Sequence, residues 1–256
     1  MNTRPSDSQD VEQPFLSHLV ELRGRLLKSL VAVLLVLAAL LPFANDIYEL
    51  LARPVLDRLP EGQTMIAIDV ASPFLTPFKL TAWAAMFLSM PVLFYQMWAF
   101  IAPGLYRKER RFGWPLLVSS VILFYAGVAF AYFVVFPLAF SFFFGVAPAG
   151  VAVMPDINKY LDFMLTLFFA FGLAFEVPIA TILAVAAGLT TPEQLAKKRA
   201  YVVVVAFVAG MLLTPPDVIS QTLLAIPIWV LFEVGIQMSR LIVPARAEPA
   251  SDQEAQ

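Results

Sequence analysis

Six long apolar runs dominate this chain, near Leu26–Phe43, Phe78–Ile101, Phe112–Pro137, Tyr160–Ala187, Ala200–Leu213 and Val218–Met238. A helix needs roughly 20 apolar residues to cross a hydrocarbon core of about 30 Å, and four of the six runs reach that length. Inside hydrocarbon no water is present to bond the backbone. A spanning segment must therefore satisfy its own N–H and C=O groups, and a helix does so without leaving an open edge. The expected fold class is all-α: a polytopic membrane protein with six transmembrane helices.

Composition narrows the chemistry. Of 256 residues, 60% are hydrophobic and only 14% are charged, far from an ordinary soluble domain. The absence of cysteine removes disulfides, thiol catalysis and Cys-ligated metal or iron–sulfur sites. The single histidine, His18, leaves no HExxH motif and no cluster for zinc. It also leaves no Ser/His/Asp set for a membrane-embedded hydrolase. The expectation is no enzymatic activity, no cofactor, no metal and no nucleic-acid partner. Residues 1–14 (MNTRPSDSQDVEQP) are polar and lack the apolar core of a signal peptide, so the first run is expected to be retained as helix 1. The chain then divides into a polar tail (1–14), a membrane domain (15–243) and a second polar tail (244–256).

Lysine and arginine set the orientation. An even number of helices puts both termini on one side, together with the 102–111 and 188–199 loops. That side holds 13 of the 17 cations, among them Arg23, Arg25, Lys28, the Arg107–Arg111 cluster and the Lys197–Arg199 run. The opposite side holds Arg53, Arg58, Lys79 and Lys159. Cationic loops resist translocation, so both termini are expected to be cytoplasmic.

The other loops carry structure of their own. Within 44–77, Asn45 and Asp46 form a plausible helix cap, and Ile47, Leu50, Leu51, Val55 and Leu59 follow at the spacing of an amphipathic surface helix. Pro54 falls inside it and is expected to kink or split it. Residues 138–159 read as a second loop, and Thr214–Asp217 as a tight turn that makes the last two helices an antiparallel hairpin. Ala200–Leu213 would rise only about 21 Å, whereas Tyr160–Ala187 would rise about 42 Å. The short run either thins the bilayer or extends past the apolar residues. The long one is expected to bend at Pro178.

Glu176 lies near the middle of the fourth run, where an acid costs about 2.5–3.5 kcal/mol on insertion scales and should face protein or a wet cavity. It either lines a path or contacts a partner, or it bonds backbone freed by Pro178; both readings stand. Glu233 and Gln237 share a helix face one turn apart, and polar groups so placed are more often interhelical glue than a transport route. A proton- or ion-coupled secondary transporter would use Glu176 and Glu233 as its sites, but no inverted repeat accompanies them. Glu21 is spaced to pair with Arg25 at i,i+4, a contact worth about 0.3–0.5 kcal/mol, while Arg23 points almost opposite to Glu21. Glu109 is a lone acid among four cations; by default Lys108 or Arg110 neutralises it and the cations are held at lipid phosphates.

Longer motifs are more specific. HLVELRGRL (18–26), FANDIY (43–48), MIAIDVASPF (65–74), YQMWAFIAPGLYRKERR (95–111), FEVP (175–178) and GMLLTPPDVISQTLLAIP (210–227) resemble the TatC family, over a stretch from about Phe15 to Val243. That family supplies the multispanning receptor subunit of the twin-arginine protein translocase in the bacterial cytoplasmic (inner) membrane. The resemblance implies that Glu21 and Glu109 recognise the twin-arginine motif of signal peptides, with Arg23 and Phe100 completing the cytoplasmic site. It implies that Glu176 lies in the groove where the signal inserts, and that Pro54 and Asp217 belong to the periplasmic cap. Met211, Thr214 and Gln221 would form the docking edge for the single-span subunits TatB and TatA. The implied partners are those subunits, the signal peptides of folded cargo, membrane lipid and further copies in a TatBC complex.

The chemistry suits that role. A guanidinium presents a planar fork that a carboxylate accepts with two bonds, which lysine cannot copy. Two arginines call for two separately placed carboxylates, one on each of two cytoplasmic segments. The four cations beside Glu109 would repel such a peptide unless they turn toward lipid headgroups.

Overall fold

A computed structural model describes residues 9–56, 65–101, 113–145, 154–213 and 218–242. Among them every regular element is a helix, and the backbone pairing outside helices is a single parallel bridge between Ile66 and Asp156. The described residues fall into two packed units.

The first unit holds α1 (Gln9–Leu40), α2 (Ala44–Leu56), α3 (Ser72–Leu88) and α4 (Met90–Ile101), with the opening turns of α5 (Gly113–Phe130) and of α7 (Ile157–Ala174). α1 packs against α3 and α4, and α2 against α3. The most apolar stretch of α1 has none of its residues buried within the chain; Leu19, Leu22 and Leu26 all face outward. A helix so apolar and so uncovered needs lipid or another protein as its solvent.

Proline writes the irregularities of this unit. A single 3₁₀ turn, Leu41–Phe43, follows α1 at Pro42 and leads straight into α2. Asn45 and Asp46 are therefore first-turn residues of α2 and not its cap. Nor does Pro54 split α2, which continues to Leu56 with the proline in its final turn; there the missing N–H removes only one bond, to the carbonyl of Leu50. The second apolar run is broken, which its composition did not announce. Ser89 donates to both Ala85 and Met86 carbonyls at 3.0 and 3.2 Å, Pro91 cannot bond back to Phe87, and α3 and α4 meet at 48°.

The second unit holds the rest of α5, α6 (Phe136–Gly145), the rest of α7, α8 (Val177–Ala186), α9 (Pro192–Lys197), α10 (Arg199–Leu213) and α11 (Val218–Ile242). Between α5 and α6 the helix widens to a π turn at Ala131–Val135, closed by a bond from Phe136 N–H to the Ala131 carbonyl. Pro137 lies just beyond and has no N–H to continue an i→i+4 ladder. Helix continues to Gly145, so the expected 138–159 loop is shorter than its composition implied: Phe140–Phe144 are as apolar as the span they extend. Gly127 lets α5 come into backbone contact with α7, since a Cβ there would collide with the Phe171 carbonyl. Phe130 then lies between Phe171 and Phe175, with ring centroids 5.6 Å from each.

The fourth run is interrupted just before Pro178. α7 ends at Ala174, a tighter turn brings Glu176 N–H to the Leu173 carbonyl at 3.0 Å, and α8 starts at Val177. Ile157–Ala186 still counts as one apolar span of 30 residues. α8 closes at Gly188, whose φ of 70° suits a residue without Cβ. The N–H groups of Gly188 and Leu189 reach back to Val185 and Ala184, both at 3.0 Å, a Schellman close. Thr191 and Gln194 then form a capping box that starts α9.

α10 begins at Arg199 and does not extend back past Lys198; its 15 residues rise about 22 Å. By length and composition, four helical segments of the described chain suffice to cross a membrane, and a fifth does if α3 and α4 count as one bent span; α10 is a shorter apolar helix. The protein is a multi-pass, all-helical membrane protein.

Candidate functional site

The expected signal-binding residues that are described lie in the first unit. Glu21 and Arg25 sit one turn apart on α1, and both Nε and Nη2 of Arg25 donate to Glu21 Oε1, at 3.0 and 2.6 Å. The default i,i+4 pairing is thus what α1 adopts, with both side chains partly exposed. Arg23 is exposed on another side of the helix. Phe100 is half-buried in the last turn of α4, the helix against which α1 packs. Glu109 lies outside the described residues, eight positions beyond the end of α4.

Glu176 belongs to the second unit and occupies the turn between α7 and α8. Its side chain does not cap α8, and Oε1 is buried although the residue as a whole is half-exposed. Phe171 and Phe175, five and one positions before it, pack on Phe130, so the break in the span follows directly on an aromatic cluster.

Of the expected partner edge, Met211 is 53% exposed on α10 and Gln221 is half-buried in the first turn of α11. Thr214 and Asp217 lie outside the described residues. Pro54 of the expected periplasmic cap is in the final turn of α2, in the first unit.

Three polar groupings carried too little sequence signal to be assembled in advance. The first is in the second unit: Arg199 Nε and Nη2 donate to Glu233 Oε2 and Oε1 at 2.7 and 2.6 Å, and Gln237 Nε2 donates to Oε1 at 3.1 Å. Glu233 and Gln237 are visible as a pair by spacing, but Arg199 reads only as the end of a basic run. Pairing with Arg199 leaves Glu233 poorly suited to carry ions through the span.

The other two are in the first unit, one tying α3 to the start of α7 and one tying the segments that lead into them. Thr76 Oγ1 donates to Asn158 Oδ1 at 2.6 Å, Asn158 Nδ2 donates to Ser72 Oγ, and Lys79 pairs with Asp162. Asp156 accepts from the backbone N–H of Lys159 at 3.0 Å and of Ile68 at 3.1 Å. Those two bonds hold its carboxyl below the usual aspartate range. Partners more than 80 residues apart cannot be paired by local spacing, which is why the sequence hid them.

Known proteins resemble this arrangement over its whole length. The family described as Sec-independent protein translocase protein (TatC) matches residues 17–227. The TatC protein of Azotobacter chroococcum is 57% identical over 256 residues, covering all of both chains. That of Escherichia coli K12 is 60% identical over 231 residues, covering 90% of each. A crystal structure of a twin-arginine translocase receptor, TatC, superposes with a TM-score of 0.78 at 40% identity, covering 88% of this chain and 98% of that one. With its helices, its motifs and its relatives in agreement, this chain belongs to the TatC family of Sec-independent protein translocase proteins.

Proposed function

We propose that this translocase subunit is the receptor for twin-arginine signal peptides, with Glu21 and Glu109 as the two carboxylates that accept the two guanidinium groups. The observation that carries the reading is the state of Glu21. On a partly exposed face of α1 it already holds a guanidinium through two donors at 3.0 and 2.6 Å, and α1 packs against α4, whose chain runs on to Glu109. A surface pair of this kind contributes only about 0.3–0.5 kcal/mol, so an incoming arginine can displace or share it. Arg23 and Phe100 flank the motif on α1 and α4.

The remainder follows from the same reading. Six helices cross the bacterial cytoplasmic membrane with both termini inside, α10 serving as the short span. The apolar part of the signal lies along the groove at Glu176, where the break before α8, directly after the aromatic cluster, leaves a carboxylate within the span. Pro54 and Asp217 maintain the outer cap, and the edge carrying Met211, Thr214 and Gln221 docks TatB and TatA. Pairing of Glu233 with Arg199 weighs against an ion-coupled transporter.

The test is binding of a synthetic twin-arginine signal peptide, and of its Lys-Lys twin, to the purified protein in detergent. Wild type is expected to prefer Arg-Arg by at least about tenfold, the scale of one lost charge-assisted hydrogen bond. Glu109→Gln or Glu21→Gln is expected to erase that preference without loss of protein from the membrane. Equal binding of the two peptides by wild type would count against the receptor reading.

A further inference from the structure

Met211 and Gln221 stand on different helices, so they form one edge only if α10 and α11 keep a fixed alignment along their length. Two contacts mark that alignment. At the start of α10, the Arg199 guanidinium meets Glu233 through two bonds of 2.7 and 2.6 Å. Toward its other end, Gly210 lies against Gln221, where a Cβ would touch Gln221 Cα at 3.4 Å. Between these contacts α10 advances eleven residues while α11 goes back twelve, the correspondence of two antiparallel helices of equal rise. Met211 and Gln221 therefore stand at nearly the same height.

Apolar packing alone does not select this alignment. α10 is a run of Val and Ala (Val202–Ala206), and the opposing part of α11 offers Leu, Ala and Ile (Leu223–Ile226). A slip of one turn, about 5.4 Å, would present much the same surface. The fork tolerates no such slip, because the shift would separate both hydrogen bonds and leave Glu233, within the apolar span Gln221–Leu241, with only the amide of Gln237 for a partner, where a carboxylate without its counter-charge is costly. Apolar replacement of a paired fork is often neutral in stability, so what the charges contribute is the choice of register. We propose that Arg199 and Glu233 are a positioning pair, a register lock that keeps Met211 and Gln221 level for the docking of a single-span subunit. The docking part rests on the function proposed above; the lock itself does not.

The chain contains no cysteine, so oxidation of engineered pairs in the full-length protein in membranes reads the register directly. Ala206 and Ala225 are both buried and stand level in the observed alignment, with Gln221 and Trp229 one turn to either side of Ala225. A206C/A225C is expected to form a disulfide efficiently. Adding R199L/E233L should lower that yield about tenfold or more, the scale of a lost charge-assisted hydrogen bond, and raise the yield of A206C/Q221C or A206C/W229C. The swapped pair R199E/E233R should restore the original pattern. R199K, which keeps the charge without the planar fork, should shift it partway, and serves as the comparison if the leucine pair does not accumulate. An unchanged A206C/A225C yield in the altered chains would overturn the lock. Crosslinking of a single-span subunit from M211C should fall and recover with the register. A slipped register with undiminished crosslinking from M211C would leave the lock standing and remove the partner-edge reading.

Discussion

Gly235 shows how narrowly single residues determine packing in the second unit. A Cβ there would lie 2.9 Å from Pro178 Cα and collide with Thr181 Oγ1. The threonine cannot swing away cheaply, because its hydroxyl donates to the Pro178 carbonyl at 2.7 Å. Gly235→Ala is therefore expected to destabilise by about 1–3 kcal/mol, the range for overpacking, seen as a lower unfolding midpoint in detergent. An alanine at Gly24, which has open space around it, should not lower that midpoint, since Gly→Ala inside a helix is neutral to stabilising, and provides the control. At this scale the sequence was partly legible. Glu21 with Arg25, and Glu233 with Gln237, were readable because one helical turn joins them. Lys79 with Asp162 and Ser72 with Asn158 were not, because only the fold brings them together.

Helices were the most legible elements and their interruptions the least. An apolar run reports that a segment belongs in hydrocarbon, but it carries no record of where the segment bends. Pro178 marked one break because it lies deep inside a run too long for a single straight span. Pro91 marked another just as plainly in chemical terms, yet it falls in a stretch, SMPVLF, whose apolar character hides the junction. The error at Pro54 was the reverse: position, not presence, decides a proline's effect, and near a helix end it removes little. Pro91→Ala restores the N–H that can bond Phe87, so α3 and α4 are expected to straighten below their 48°. Spin labels near Thr76 and Met97 would register this as a longer distance than in wild type. No change would place the cause of the bend in Ser89 or in the packing of α1 instead.

For the whole molecule, the charge asymmetry of the loops makes the firmest prediction, since 13 of the 17 cations fall on the expected inner side. Single cysteines placed at Ser6 and Ser251 should react with an impermeant maleimide only in inverted vesicles, and one at Gln63 only in right-side-out cells. Labelling of the termini from opposite sides would require an odd number of crossings. Family membership was legible from motifs long enough to be specific, whereas the second apolar run looks like one rod and is not. Taken as geometry, α4 acts as a crank. Its 12 residues are about 18 Å long, and a 48° turn carries their far end about 13 Å sideways from the axis of α3 while giving up only about 6 Å of height. The span loses little reach, and Phe100 rides at the end of an offset arm, out from under α3.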